Sequence, residues 1–296
     1  MNILLAMIPA FFWGTTYAVT QFTLTDWPPL LLGALRALPA GLILLAIKPT
    51  LPKKDQWPVI FSLGLINIAT FFSLIFVMAL TLPSAISGVG MISVPVFAIV
   101  FHWIVKKQRP HLIQAISGVG LIVLAWMLFD PSQISLNPVG LIAMFSAIMC
   151  IIIGSSITKA LGNRMHWWTV LTWQLILGGV ILTVATTIHA AINFQPYIDV
   201  LTGFDSKNLF GLLWIIGLNT ALGYGMYVWL LQRMSVVDFT FGGIANPIAG
   251  ITSGLILLGE SFTPFQHSLM AGMIILSLLP QAIMAIRQQK TKLVVE

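Results

Sequence analysis

With 296 residues, 58% of them hydrophobic and 7% charged, the chain has too few polar side chains to clothe a soluble domain, so its main solvent is lipid. The net charge of +6 comes with no basic patch interleaved with aromatics in an aqueous segment. That argues against nucleic acid as a partner and makes the charge a matter of topology and of contact with anionic lipid.

A hydrocarbon core about 30 Å thick takes roughly 20 helical residues to cross. Apolar windows of that length fall at 3–24, 28–47, 57–79, 84–105, 112–129, 137–158, 167–190, 208–231, 239–258 and 264–286, and the one charged side chain well inside them is Arg36. They are too long for barrel strands and lack the alternation of apolar and polar positions that a barrel has. The sequence therefore predicts an all-α integral membrane protein with ten transmembrane helices. The first window has neither a basic n-region nor a small-residue cleavage site, so it is read as a retained helix.

Between the windows, the second connection holds Lys48, Lys53 and Lys54, the fourth Lys106, Lys107 and Arg109, the sixth Lys159 and Arg164, and the eighth Arg233. The tail adds Arg287, Lys290 and Lys292, whereas the odd connections hold only Lys207. Positive charge is retained in the cytoplasm, which predicts that both termini are cytoplasmic. Segment 191–207, with Pro196, Tyr197, Asp199 and Asp205, is then expected outside, as a connector or an interfacial lid. Cys150, the one cysteine, lies in an apolar window. This excludes an internal disulfide or a cysteine metal cluster, and no metal or other cofactor is expected.

Residues 80–127 align without a gap on 232–279. Gly90, Ile92, Pro95, Gln114 and Gly120 fall on Gly242, Ile244, Pro247, Gln266 and Gly272. A duplication with five crossings per half forces the second half to enter the bilayer from the opposite face. The expected units are therefore two inverted five-helix repeats, 1–131 and 132–296, the second ending in a short basic tail. Inverted repeats are a recurring plan of secondary transporters, in which two related halves supply conformations open to either side.

Trp13-Gly14, Arg36, Pro95, the run Ile244-Ala245-Asn246-Pro247, then Leu258-Gly259-Glu260 and Gln266 resemble the EamA branch of the drug/metabolite transporter superfamily over nearly the whole chain. The first half departs from the family pattern, with Gln108 where a Gly-Glu turn is commonly repeated. Glu260 is read as a turn or helix-cap residue. The resemblance implies export.

Polar side chains collect near the helix midpoints: Thr15, Thr16, Tyr17, Arg36, Asn67, Ser93, Gln174, Asn219 and Asn246. Groups at that depth face the bundle interior or a water-filled cavity, or they join helices by hydrogen bonds. The candidate substrate-binding residues are Trp13, Tyr17, Arg36, Asn67, Phe71, Asn219, Tyr227 and Asn246. Arg36 has no acid in any window, so its partner is a carbonyl, an amide side chain, water or a substrate carboxylate. Trp27, Trp57, Trp103, Trp167 and Trp168, near helix ends, are expected to be interfacial anchors. Pro95 and Pro247 are expected at equivalent midhelix positions, as kinks and candidate hinges.

The function this predicts is secondary transport of a small amphipathic metabolite, an amino acid or a related compound, across a bacterial-type inner membrane by alternating access, with the bilayer and a small-molecule substrate as partners. One ten-helix bundle suffices to enclose a site, so a monomer can do this. The rivals are a passive channel-like facilitator and a membrane-embedded enzyme. No filter sequence and no hydrolase or metalloprotease motif supports either of them, and the chain is expected not to be an enzyme.

Overall fold

The computed structural model describes residues 3–107, 112–128, 136–161, 164–231, 243 and 245–295. Gln108, Arg109, Asp130, Arg233, Gly242 and Ile244, the side chain of Pro95 and those of the basic residues after 286 lie outside the described residues.

All regular structure among the described residues is helical. In chain order it comprises α1 (Ile3–Thr23), α2 (Pro29–Ile47), α3 (Lys54–Thr81), α4 (84–106), α5 (Leu112–Leu128), α6 (Pro138–Leu161), α7 (Trp167–Ile192), the short α8 (Gln195–Thr202), α9 (206–231), α10 (Ala245–Leu258) and α11 (Pro264–Val295). Five stretches, in α2, α3, α6, α7 and α9, are long and apolar enough to cross a bilayer, and α5, α10 and the first part of α11 are shorter apolar helices. Trp126, Ile142, Ile192 and Ile256 expose two thirds or more of their surface, as lipid-facing side chains do.

The helix ends follow from local chemistry. Proline opens α2 at its first position, where no intrahelical N–H is needed. At the start of α9, Asp205 and Asn208 form a reciprocal capping box, with Asp205 Oδ1 accepting from Asn208 N at 2.7 Å and Asn208 Oδ1 from Asp205 N at 3.0 Å. Asn208 Nδ2 also donates to Thr23 O at 2.7 Å and ties α9 to the end of α1. Part of 191–207, read from sequence as a connector or a lid, is thus helical as α8. The last helix runs past 286 to Val295.

Two helices carry a wide turn at their centres. α3 is π-helical over Gly64–Thr70, around Asn67, and α9 over Trp214–Leu222, around Asn219. In α4 the helix tightens to 3₁₀ over Met91–Ser93, just before Pro95. Proline has no N–H to return to the carbonyl of Met91, which accounts for the local rewinding. Pro247 differs from the midhelix expectation. It is the third residue of α10 as described, where the absent N–H interrupts no intrahelical bond.

The most extensive contacts pair α2 with α7, α1 with α10, α3 with α6 and α7, α5 with α11, and the first turns of α4 with α10. Gly178 and Gly179 permit the central crossings: a Cβ on the first would press on Ile68 of α3, and one on the second on the Leu38 backbone of α2. The main core joins Tyr17, Phe72, Ile75, Leu171, Leu175 and Tyr224. Trp27 is 6% exposed and packs with Leu24, Leu32, Phe76, Val200 and Ile215, so it is a core residue and not an interfacial anchor. α8 and the turn after it cover it.

Candidate substrate cavity

The wide turn of α3 packs on α7 and that of α9 on α2, and a side-chain hydrogen bond joins each pair. Arg36 is the eighth residue of α2 and Gln174 the eighth of α7. Arg36 Nε donates to Thr220 Oγ1 at 2.8 Å, and that hydroxyl donates to the Ile215 carbonyl at 2.9 Å. On the other side Asn67 Nδ2 donates to Gln174 Oε1 at 3.0 Å. A π-helical turn displaces backbone carbonyls from the regular ladder. The Asn219 carbonyl accordingly accepts from Trp13 Nε1 at 3.0 Å, while its side-chain Nδ2 donates to Thr16 Oγ1 at 2.6 Å.

Between these elements lies a cavity of about 540 Å³. Seven of the eight residues singled out from sequence line it: Trp13, Tyr17, Arg36, Asn67, Phe71, Tyr227 and Asn246. Asn219 does not. It is fully buried behind the wall, where it holds Thr16 and Trp13 in place. One wall is aromatic. The Trp13 ring meets Tyr224 and Tyr227 edge to face, each at 5.3 Å, and Tyr224 meets Phe72 at 5.9 Å. The Arg36 guanidinium carbon sits 4.2 Å from the Phe72 ring centre, a cation–π arrangement that substitutes in part for water. Arg36 is 3% exposed, and no carboxylate lines the cavity among the described residues.

Sequence reasoning missed Tyr224 and Thr220 and left Gln174 out of the site. The repeat shift carried a signal for the first, because moving Phe72 by the spacing that takes Gly90 to Gly242 lands on Tyr224. For Thr220 there was none, since its position depends on the wide turn. Trp167, expected as an anchor, lines the cavity mouth, and Trp168 donates its Nε1 to Lys48 O at 3.0 Å.

The cavity runs from Arg36 to Leu161, Met165, His166 and Trp167, beside the connection that carries Arg164. The connection after α2 lies at the same end, where Gln56 Nε2 donates to Arg164 O at 3.2 Å and Trp173 Nε1 to Thr50 O at 2.7 Å. The opposite end is closed. There Gln21 Nε2 donates to Leu82 O at 2.6 Å, and the Trp27 ring faces Phe204 at 6.1 Å. Glu260 caps the start of α4, with Oε1 accepting from Ser84 N and Oε2 from Ala85 N at 3.1 Å.

Comparison with known proteins agrees with this architecture. The model of the EamA-like transporter family matches residues 1–129. Protein PecM of Dickeya dadantii (strain 3937) is 31% identical over 261 residues, covering 86% of this chain and 83% of its own length. The uncharacterized inner membrane transporter YedA of Escherichia coli (strain K12) is 26% identical over 268 residues, 86% of this chain and 82% of its own. A probable amino-acid metabolite efflux pump of Salmonella typhimurium (strain LT2) is 23% identical over 287 residues, 92% and 93% of the two chains. A crystal structure at 14% identity, covering 95% of this chain and 97% of its own, superposes with a TM-score of 0.62 and shares the fold. The chain belongs to the EamA-like transporter family, and it is a multi-pass membrane transporter of the drug/metabolite type.

Proposed function

We propose that the chain is a secondary transporter that exports a small amphipathic metabolite bearing a carboxylate, an amino acid or a related compound, by alternating access around the cavity described above. The observation that carries this reading is Arg36. A guanidinium at midhelix depth costs at least about 2.5 kcal/mol on insertion scales and cannot discharge itself. Its partners among the described residues are one hydroxyl and aromatic faces, and no Asp or Glu is available inside any of the ten windows. A substrate carboxylate entering the cavity supplies the missing countercharge by a charge-assisted hydrogen bond. The Trp13, Phe71, Tyr224 and Tyr227 rings suit the apolar remainder of such a molecule. The name of the Salmonella relative is in keeping with this class.

In this reading all ten windows cross the membrane as two inverted halves, 1–131 and 132–296, with cytoplasmic termini in a bacterial-type inner membrane. The two π-helical turns support the duplication: they end at Thr70 and Leu222, separated by the same shift as the aligned repeats. Lys107 and Gly259, related by that shift, both have positive φ, 55° and 64°. With basic connections retained in the cytoplasm, the mouth beside His166 faces the cytoplasm, the side from which an exporter loads. The experiment is counterflow in proteoliposomes with labelled amino acids, amines and uncharged aromatic metabolites. Saturable, trans-stimulated uptake of carboxylate-bearing compounds is expected. Unsaturable flux would favour a channel-like facilitator, and uptake confined to amines or uncharged compounds would remove the carboxylate from the reading.

A further inference from the structure

Building on this transport reading, we propose that Glu260 is the latch of the outer gate, a positioning residue whose release from α4 opens the cavity to the far side. α10 and α4 lie tightly together at the end opposite the cavity mouth. A Cβ on Gly88 would come 3.3 Å from the Gly250 Cα, and one on Gly254 would overlap both Ser84 Oγ and Glu260 Oε2. The missing side chain of Gly254 is the seat of the carboxylate. Gly259, with φ of 64°, reverses the chain at the end of α10, so that Glu260 N donates back to Gly254 O at 3.2 Å. Both carboxylate oxygens then reach the first N–H groups of α4, from Ser84 and Ala85. Such groups have no intrahelical acceptor, and the helix dipole adds to their attraction for an anion.

The latch therefore spans the two halves, tying the α10–α11 turn to the start of α4. Met91 lies on the cavity wall two turns further along that helix. Moving the start of α4 away from α10 to admit the outside has to withdraw both N–H groups from the carboxylate. The repeat shift that relates Gly259 to Lys107 relates Glu260 to Gln108, whose amide has no negative charge. At this repeat position the carboxylate is thus encoded in the second half and not in the first. This asymmetry favours the form with the outer end shut and the mouth at the basic end open.

The test uses right-side-out vesicles carrying Met91→Cys in a Cys150→Ser background, labelled from outside with a membrane-impermeant maleimide. Glu260→Ala removes the carboxylate. Ser84→Pro removes one donor from the first helical position, where proline is tolerated, and carries the test if the Ala variant is not recovered folded. Since the hydrogen bonds lost are to a charged group, outside labelling is expected to accelerate about tenfold or more in each. An unchanged rate in folded, inserted protein overturns the latch. Wild-type counterflow, run in parallel, keeps the two readings apart. Counterflow with unchanged labelling defeats the latch alone, and no counterflow of any panel compound defeats the transport reading whatever the labelling does.

Discussion

The residue that sets the character of this protein is Arg36, because every other charged side chain of the described structure lies near a helix end or in a connection. Its depth and lack of an acidic partner could be read from sequence, since both depend only on counting along an apolar window. Its actual neighbours could not, because Thr220 reaches it only through the wide turn of α9 and Phe72 only through the rotation of α3. Small residues make sharper predictions. At Gly14 a Cβ would run into the Asn246 carbonyl oxygen, a backbone atom that cannot swing aside. Gly14→Ala is expected to destabilise the folded protein by about 1–3 kcal/mol, measured by thermal melting in detergent, and an unshifted melting temperature would mean that α1 and α10 are not in this contact.

At the scale of elements, the helix windows were legible because hydropathy and length decide them, and their limits moved by only a few residues except at the end of α11 and at the start of α10, which is described from Ala245 while most of 239–244 lies outside the described residues. The π-helical turns were not legible. Gly64–Thr70 and Trp214–Leu222 have no proline or polar run that marks them, and they arise where an extra residue per turn lets Asn67 and Asn219 face their partners. The two prolines separate for a physical reason. Pro95 follows a 3₁₀ turn that its missing N–H accounts for, whereas Pro247 stands in the first turn of α10, where no bond is lost. Pro95→Ala is therefore expected to slow exchange several-fold while leaving substrate affinity intact, and Pro247→Ala to change exchange by less than about twofold. Equal effects of the two in the same counterflow assay would contradict this division. Gly88→Leu places a bulky wedge against the Gly250 backbone. It is expected to stop exchange in inserted protein, and wild-type exchange would show that these helices part more easily than their packing implies.

For the whole molecule, the distribution of Lys and Arg predicts that position 53 faces the cytoplasm and position 205 the outside. Single-cysteine variants at these positions, in the Cys150→Ser background, should react with an impermeant maleimide from outside only at 205, and labelling at 53 would invert the orientation. The repeat was visible in the sequence as a shared shift of proline, glycine and glutamine. The cavity was visible only as a set of residues at one depth, because helix rotations, which decide that Asn219 lies behind the wall and Tyr224 in it, leave no periodic trace in windows apolar on every face. The most direct measurement is counterflow by wild type and Arg36→Gln side by side in proteoliposomes. Carboxylate-bearing compounds should be exchanged by wild type, and the Gln variant, inserted to the same level, should lose that exchange by about tenfold or more, the effect of removing a charge-assisted contact. Equal exchange of the same acid by both would contradict the account, making Arg36 a structural residue and leaving the cavity without its anion site.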